Sequence, residues 1–261
     1  MTNFSWTLSA LELLALWNAC GEEILPEPLL FTSDIPLYDD FLREKTAALA
    51  RLRVRIGREL DVALETIARA DIRVTAYGWD DSDSDHPGAM IRVHGARRRD
   101  RAYVICQARD DADRACGAFT ITESSVPELA DAVVAHLPDL PAGAQSGMVL
   151  VTAEDDADMD YSYGSSPVHE SADGSAVDRA RRFLDAPISG AGIVEVVQSR
   201  SEFGPRGMSR SSLMWRDVAE DGRYAVTSGD SAAAIPVDAG RLAAMVNADI
   251  ALLVRRLRDE R

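Results

Sequence analysis

The order of predicted elements in residues 71–137 is repeated in residues 192–257 of this 261-residue chain. Each stretch is predicted to form a strand, a loop, a second strand, a hairpin and a further strand, and each ends in a helix introduced by a proline. Val126-Pro127 and Ile235-Pro236 stand at equivalent points before those helices. The repeat predicts an internal duplication with quasi-two-fold symmetry. Coincidence is the alternative, because patterns of two strands and a helix are common.

The segment before the first repeat is predicted to contain one short strand and several helices. Phe4–Leu8 alternates large apolar with small polar residues, as a strand does. Ser9 is followed three residues later by Glu12, which is the spacing of a capping box at the start of a helix. Helical spacing of apolar residues returns over 39–70, where Gly57 divides it into two helices.

Composition excludes several classes of protein. Lys and Arg number 28 against 43 Asp and Glu, which gives a formal net charge of −15. Such a chain has no general attraction to nucleic acid or to anionic lipid. A hydrophobic content of 46% indicates a globular protein. No apolar run reaches the roughly 20 residues that a membrane span needs, so we expect no membrane insertion.

The cysteines and the N-terminal residues indicate the cytoplasm. Three cysteines without C-x-x-C spacing favour a reducing compartment over a disulfide framework. No basic residue precedes the first apolar stretch, so a secretory signal is not expected. Lys45 is the only lysine, and this preference for arginine is typical of GC-rich genomes such as those of actinobacteria.

Motifs of enzymes are incomplete in this sequence. Gly190-Ala191-Gly192 begins like a dinucleotide-binding fingerprint, but Glu195 stands where the third glycine belongs. The surroundings of Ser231 resemble a nucleophile elbow without its final glycine. The histidines lack the spacing of a zinc site. We therefore predict no catalytic residue, no metal site and no cofactor.

An acidic segment follows the first strand of the first repeat. Asp81, Asp83 and Asp85 space three carboxylates as a calcium loop does, but His86 and Arg92 replace the glycine and the glutamate of such a loop. A solvated hairpin loop is the simplest interpretation, and a recognition loop is another. Trp79 opens this segment and either caps the sheet or anchors a partner, whereas the other tryptophans are expected in the core.

The C-terminal motifs resemble those of a known family. Trp215-Arg216-Asp217, then Asp221-Gly222-Arg223-Tyr224, then Pro236 before a final helix, match the "W-x-D … DGRY … P" ending of EspG proteins. Three further elements agree in order and spacing: Leu25–Leu29 as an "LP-x-x-L" element, Leu52–Gly57 and Val104–Gln107.

The resemblance implies a fold and a function. EspG proteins are cytosolic chaperones of ESX (type VII) secretion, which bind PE–PPE heterodimers at the hydrophobic tip of the PPE subunit and keep them soluble for export. Their fold is α+β, a quasi-two-fold domain with a central antiparallel sheet flanked by two helical bundles. We expect residues 1–261 to form one such domain with halves of about 1–140 and 141–261, as a non-enzymatic monomer or weak dimer.

The family also indicates where the partner binds. Its members hold the partner with the sheet, the loop between the second and third strands and the C-terminal helical region. The residues predicted at this site are Trp79, Asp80, Asp81, Asp83, Asp85, Met208, Val226 and Ser228, the last three chosen from their predicted strand positions. Two alternatives remain open: a metal-dependent or hydrolytic enzyme that uses loop 80–85 or Ser231, and a self-assembling structural subunit.

Overall fold

The computed structural model describes residues 4–81, 89–108, 117–150, 176–201, 203–229 and 232–260. Its helices are α1 (Ala10–Ala19), α2 (Tyr38–Arg55), α3 (Arg58–Ala68), α4 (Leu129–Val134), α5 (Ala176–Asp185) and α6 (Ala239–Asp259). Its strands are β1 (Ser5–Leu8), β2 (Ile72–Asp80), β3 (Ala89–Arg98), β4 (Arg101–Gln107), β5 (Phe119–Ser124), β6 (Met148–Val149), β7 (Ile188–Gln198), β8 (Arg210–Val218), β9 (Gly222–Val226) and β10 (Ala233–Pro236). None of the helices in the described ranges has the length and apolar character that a bilayer span requires.

The strands form one sheet in the order β1-β5-β4-β3-β2-β7-β8-β9-β10-β6. All neighbours run antiparallel, and the central pair runs in register from Ile72 opposite Gln198 to Asp80 opposite Gly190. On either side of this pair the order is the same: β3, β4 and β5 on one side, β8, β9 and β10 on the other. The predicted α+β class with a central antiparallel sheet is confirmed. The strand order supports the halves 1–140 and 141–261, which stay a prediction.

Helices α4 and α6 cover one face of the sheet, which we call the covered face. Residues at alternate positions of β2 are fully buried there because successive side chains of a strand point to opposite faces. They pack against the apolar stripes of the two helices, which also contact each other. The main contributors are Ile72, Val74, Ala76, Val133, Val194, Leu213, Leu242, Val246 and Leu253.

On the opposite face the helices lie at the two ends of the sheet. Helices α1, α2 and α3 cover β1, β5 and β4, where Phe119, Ile121 and Tyr103 are buried with the leucines of the helices. Helix α5 covers the other end, where Phe183 packs edge-on against Tyr224 with ring centroids 5.1 Å apart. The two helical layers therefore lie apart, with the central strands between them.

The helix boundaries agree with the sequence signals in most places. Ser9 caps α1 as predicted: its hydroxyl accepts from the Glu12 backbone N–H at 3.3 Å, and the Glu12 carboxylate accepts from the Ser9 N–H at 2.8 Å. Gly57 separates α2 from α3. The helix predicted over 129–137 is shorter in the structure. Helix α4 ends at Val134, and tight turns follow it before Pro138.

Trp215 lies across the middle of the covered face. It stands opposite Gly192 of β7, and Gly192 stands opposite Gly78 of β2. A Cβ atom at either glycine would overlap the Trp215 ring. The two glycines therefore leave the space in which one indole packs over three adjacent strands.

The remaining motif residues hold the β8–β9 hairpin. The Arg223 guanidinium donates to both carboxylate oxygens of Asp217 at 2.7 and 2.9 Å, and each side chain is only 1% exposed. The Asp221 carboxylate accepts from the Tyr224 hydroxyl at 2.7 Å and from the Ala144 backbone N–H at 2.6 Å. Burial and this hydrogen bond raise the pKa of Tyr224 to about 12. The motif thus ties the hairpin to the segment that follows α4.

Substitution of Gly192 by Ala tests the Trp215 packing. The added methyl group would overlap the indole, and overpacking of this kind costs about 1–3 kcal/mol of unfolding free energy. Urea unfolding measures the change. Gly147→Ala is the matched control, because its Cβ would meet its nearest neighbour at an ordinary 3.5 Å. Equal stability of the two variants would contradict the proposed packing.

Asp217→Asn tests the buried ion pair. Removal of one partner leaves the Arg223 charge buried and uncompensated, so we expect a loss of about 3–5 kcal/mol in unfolding free energy. Asp185→Asn is the control, because Asp185 faces Arg181 at 3.9 Å with side chains 75% and 81% exposed. Exposed pairs of this kind contribute at most about 1 kcal/mol. A loss at Asp217 no larger than the loss at Asp185 would refute the role of the pair.

Candidate functional site

The central strands present side chains on the face that α4 and α6 leave free. In the described residues, the main helix contacts of β2 and β7 come from α4 and α6, which lie on the covered face. We call this surface the open face and define it by Tyr77, Trp79, Arg92, Ile193, Glu195 and Met214. Register partners share a face of an antiparallel sheet. Tyr77 pairs with Arg92 and Ile193, and Ile193 pairs with Met214, so these four side chains form one row across four strands.

The open face combines apolar and aromatic side chains with charged ones. Tyr77 is 43% exposed and Met214 is 50% exposed, unusual values for residues at the centre of a large sheet. The Arg92 guanidinium lies 5.8 Å from the centroid of the Tyr77 ring, within the range of a cation–π contact. Glu195 forms an ion pair with Arg210 at 3.6 Å. An apolar centre bordered by charges is the composition of a protein-binding surface.

Side chains of the sheet fix the segment at residues 24–31 beside the open face. The Gln107 amide donates to the Leu30 carbonyl at 3.1 Å and accepts from the Leu30 N–H at 3.0 Å. His94 lies 2.6 Å from the Glu27 carbonyl through Nδ1, and because a carbonyl only accepts, Nδ1 carries the proton. Burial lowers the pKa of His94 to about 4. These contacts hold the "LP-x-x-L" element and make one wall of the open face.

Arg216 fixes the opposite wall, which is α5. Its guanidinium donates to the carbonyls of Leu184 and Ala186 at 2.8 and 2.9 Å and lies 5.5 Å from the centroid of the Phe183 ring. A cation at these last carbonyls also complements the negative end of the helix dipole. Burial lowers the pKa of the Arg216 guanidinium. Polar side chains of the sheet thus position the helical layer on each side of the open face.

Only some of the site residues predicted in the first half of the chain lie on the open face. Trp79 is half-buried there, next to Tyr77 along β2. Asp80 is the last residue of β2, is 3% exposed and points to the covered face, so the expected acidic loop starts one residue later. Asp81 is exposed, and its N–H donates to the Ser189 carbonyl at 2.7 Å. Asp83 and Asp85 lie outside the described residues.

The residues predicted from the second half lie in three different places. Val226 pairs with Met214, but it packs into the cluster under α5. Ser228 is exposed in the β9–β10 connection, so its expected position on a strand was wrong, and it lines a cavity of about 530 Å³ with Met245 and Asp249 of α6. Met208 is 40% exposed in the β7–β8 connection, so its expected position on a strand was wrong. The catalytic alternative, Ser231, lies outside the described residues.

Sequence reasoning missed the residues at the centre of the open face. These are Tyr77, Arg92, Ile193 and Met214. A signal was present, because the covered face of β2 reads Ile, Val, Ala while its other face reads Arg, Thr, Tyr, Trp. An exposed strand face is expected to be polar, so two aromatic residues in such a row indicate a binding surface.

No metal centre is found in the part of the chain that the structure describes. Within those ranges, no group of three or more His, Cys, Asp or Glu side chains could hold a metal ion. The carboxylates that suggested a calcium loop include Asp83 and Asp85, which are outside the ranges.

Comparison with protein families identifies the family of the chain. The model of the EspG family matches residues 9–248, which is nearly the whole sequence. The chain belongs to the EspG family. The resemblance seen in the C-terminal motifs is therefore confirmed. Comparison with curated protein sequences gives no match.

A solved structure has the same fold as this EspG-family chain. It is described as the Mycobacterium tuberculosis type VII secretion system chaperone EspG5 in complex with a PE25-PPE41 dimer. The similarity covers 98% of this chain and 96% of that chain, with a TM-score of 0.58 and 14% sequence identity. At that identity the likeness concerns the fold, and it shows that the arrangement of sheet and helices accounts for nearly the whole chain.

Replacement of His94 by Gln tests the contact between His94 and the Glu27 carbonyl. The variant should change how the free energy of unfolding depends on pH. The pKa of His94 lies below its unfolded value, so the unfolded state binds the proton first and stability falls as pH drops from about 6.5 to about 4. The shift corresponds to about 3 kcal/mol over that window. Urea unfolding at pH 7 and pH 4.5 should show a flatter profile for the variant. His136 is largely exposed and burial also lowers its pKa, so His136→Gln is the comparison that should flatten the profile less than His94→Gln. Equally steep profiles for His94→Gln and wild type would contradict the prediction.

Proposed function

We propose that this EspG-family protein is a cytoplasmic chaperone of type VII secretion that binds a PE–PPE-type heterodimer on its open face and keeps it soluble for export. The observation that carries the proposal is the row of Tyr77, Ile193 and Met214 across the central strands, in which Tyr77 and Met214 are exposed between two helical layers. The complex of EspG5 with a PE25-PPE41 dimer supports the choice of partner.

The geometry suits a hydrophobic tip rather than a small molecule. Tyr77, Ile193 and Met214 lie side by side on a wide sheet surface, and the walls formed by residues 24–31 and α5 stand on either side of it. When such a surface covers an apolar tip, the tip and the sheet surface are both removed from water, and the partner is protected from aggregation. No bond is made or broken in this function, which agrees with a non-enzymatic role for a family of chaperones.

Co-purification tests the proposed function directly. The full chain is co-expressed with each PE–PPE pair of the same genome, and size-exclusion chromatography with light scattering measures the mass of any complex. We expect one stable complex of chaperone, PE and PPE with at least one pair. Failure with every pair would refute the proposal, and tight calcium or magnesium binding by calorimetry, lost on Asp83→Asn, would favour the metal-dependent alternative.

Met214→Asp tests the open face as the binding surface. A carboxylate at the centre of the apolar row loses its hydration when the partner covers it, so we expect the dissociation constant to rise by about 100-fold. Calorimetry with the purified PE–PPE pair measures the change. Val54→Asp is the matched control, because Val54 is 91% exposed on α2, away from the open face.

Trp79→Ala distinguishes an anchor from a structural cap. Trp79 is half-buried on the open face at the end of β2, so an anchoring role predicts about a tenfold weaker complex with little change in the unfolding temperature. A lower unfolding temperature with unchanged affinity would assign Trp79 to the sheet alone.

A further inference from the structure

We propose that the β7–β8 connection, through its described residues 199–201 and 203–209, is a second anchor for the same partner, and that it binds an acidic segment of that partner through an apolar side chain flanked by arginines. The proposal rests on the proposed function, because the partner is the heterodimer that covers the open face. It adds a contact that the acidic β2–β3 segment and the sheet do not provide.

The connection contains a hydrogen-bonded turn that presents an aromatic side chain to solvent. Phe203 is 73% exposed at the head of a 3₁₀ turn, Gly204–Gly207. Ser201 closes the turn, because its hydroxyl accepts from the Phe203 N–H at 3.1 Å and its carbonyl accepts from the Gly204 N–H at 3.1 Å. Gly204 has a φ of +71°, and a Cβ at Gly207 would overlap Ser201. The backbone is thus arranged to place a large apolar group outside the core.

The connection continues the open face. It leaves β7 after Gln198 and enters β8 at Arg210, and these two strands carry Ile193 and Met214 at the centre of the open face. Met208 adds a second apolar side chain, 40% exposed, directly before β8. A partner that covers Met214 and extends along β8 would therefore meet this connection where the strand begins.

The strand order gives this connection a counterpart. It joins β7 to β8 as the other connection joins β2 to β3, on the opposite side of the central pair. Because β2 and β7 are antiparallel, with Ile72 opposite Gln198 and Asp80 opposite Gly190, the strand ends at which the two connections start lie at opposite ends of the open face. The surface offered to the partner is therefore nearly symmetric in its backbone.

The charges of the two connections differ in sign. Residues 81–88 contain three aspartates and no lysine or arginine, whereas residues 199–209 contain two arginines and one glutamate. Arg200 and Arg206 are exposed, and Arg210 follows at the start of β8, where it pairs with Glu195. In a chain of net charge −15 this is a local reversal. An acidic segment of the partner is attracted by the arginines of the β7–β8 connection and repelled by the aspartates that follow β2.

The difference in charge adds to the selection of one orientation of the partner. The strand order would let an apolar tip approach in two positions related by half a turn, and the row already distinguishes them because Arg92 stands on one side and Met214 on the other. Opposite charges at the two ends favour one of these positions and penalise the other. We therefore expect the partner to carry acidic residues on the side that faces Arg206 and Phe203.

The test compares two variants of the full chain, Phe203→Ala and Arg206→Glu, in complex with a PE–PPE pair that wild type binds. Calorimetry at 50 and 300 mM NaCl measures the dissociation constant. We expect each variant to bind about tenfold more weakly at low salt, because truncated aromatic anchors and reversed charges have effects of this size. Wild type should weaken as salt rises, and Arg206→Glu should lose most of that dependence. Arg206→Lys should keep it.

Two control variants carry an apolar truncation and a charge reversal at exposed positions outside the β7–β8 connection. Val54→Ala removes apolar surface from an exposed position on α2, and Arg58→Glu reverses an exposed charge at the start of α3. Wild-type affinity for both Phe203→Ala and Arg206→Glu, with Met214→Asp still binding about 100-fold more weakly, would overturn the second anchor and leave the proposed function intact. If wild type binds no PE–PPE pair, the proposed function itself has failed.

Discussion

The pairing of β2 with β7 is the contact on which the rest of the structure depends. It joins strands from the two halves of the chain over nine residue pairs, from Ile72 opposite Gln198 to Asp80 opposite Gly190, and makes two meanders into one sheet. The covered side of this pair holds the largest core cluster, in which α4 and α6 meet. The other side of the same pair is the open face. One pairing therefore supplies both the centre of the core and the centre of the proposed binding surface.

The sequence motif that identified the family serves the fold rather than the interface. Trp215 fills the space above Gly192, Asp217 pairs with Arg223 inside the protein, and Asp221 holds the segment after α4. Such side chains tolerate little change because each loss leaves a cavity, an overlap or a buried charge. Met214 meets none of these constraints, because it is half exposed on the open face.

The sequence predicted the elements of the fold better than it predicted the site. The capping box at Ser9, the division at Gly57 and the long final helix are local signals, and the structure confirms each of them. The open face depends on which strands are neighbours, and that is decided by long-range pairing that no short pattern encodes. Met208, Val226 and Ser228 were chosen from predicted strand positions alone and fall in three separate places. Tyr77 and Met214 become neighbours only through β7.

The two outer strands of the sheet have a consequence for how this protein meets other chains. In the described residues, the ten-stranded sheet ends in β1, with four residues, and in β6, with two. Short edges expose few unpaired backbone N–H and C=O groups, so they are poor templates for the addition of a foreign strand. If the open face binds an aggregation-prone partner as proposed, the short edges favour side-chain contact over an added backbone ladder, and such contact is the more reversible of the two.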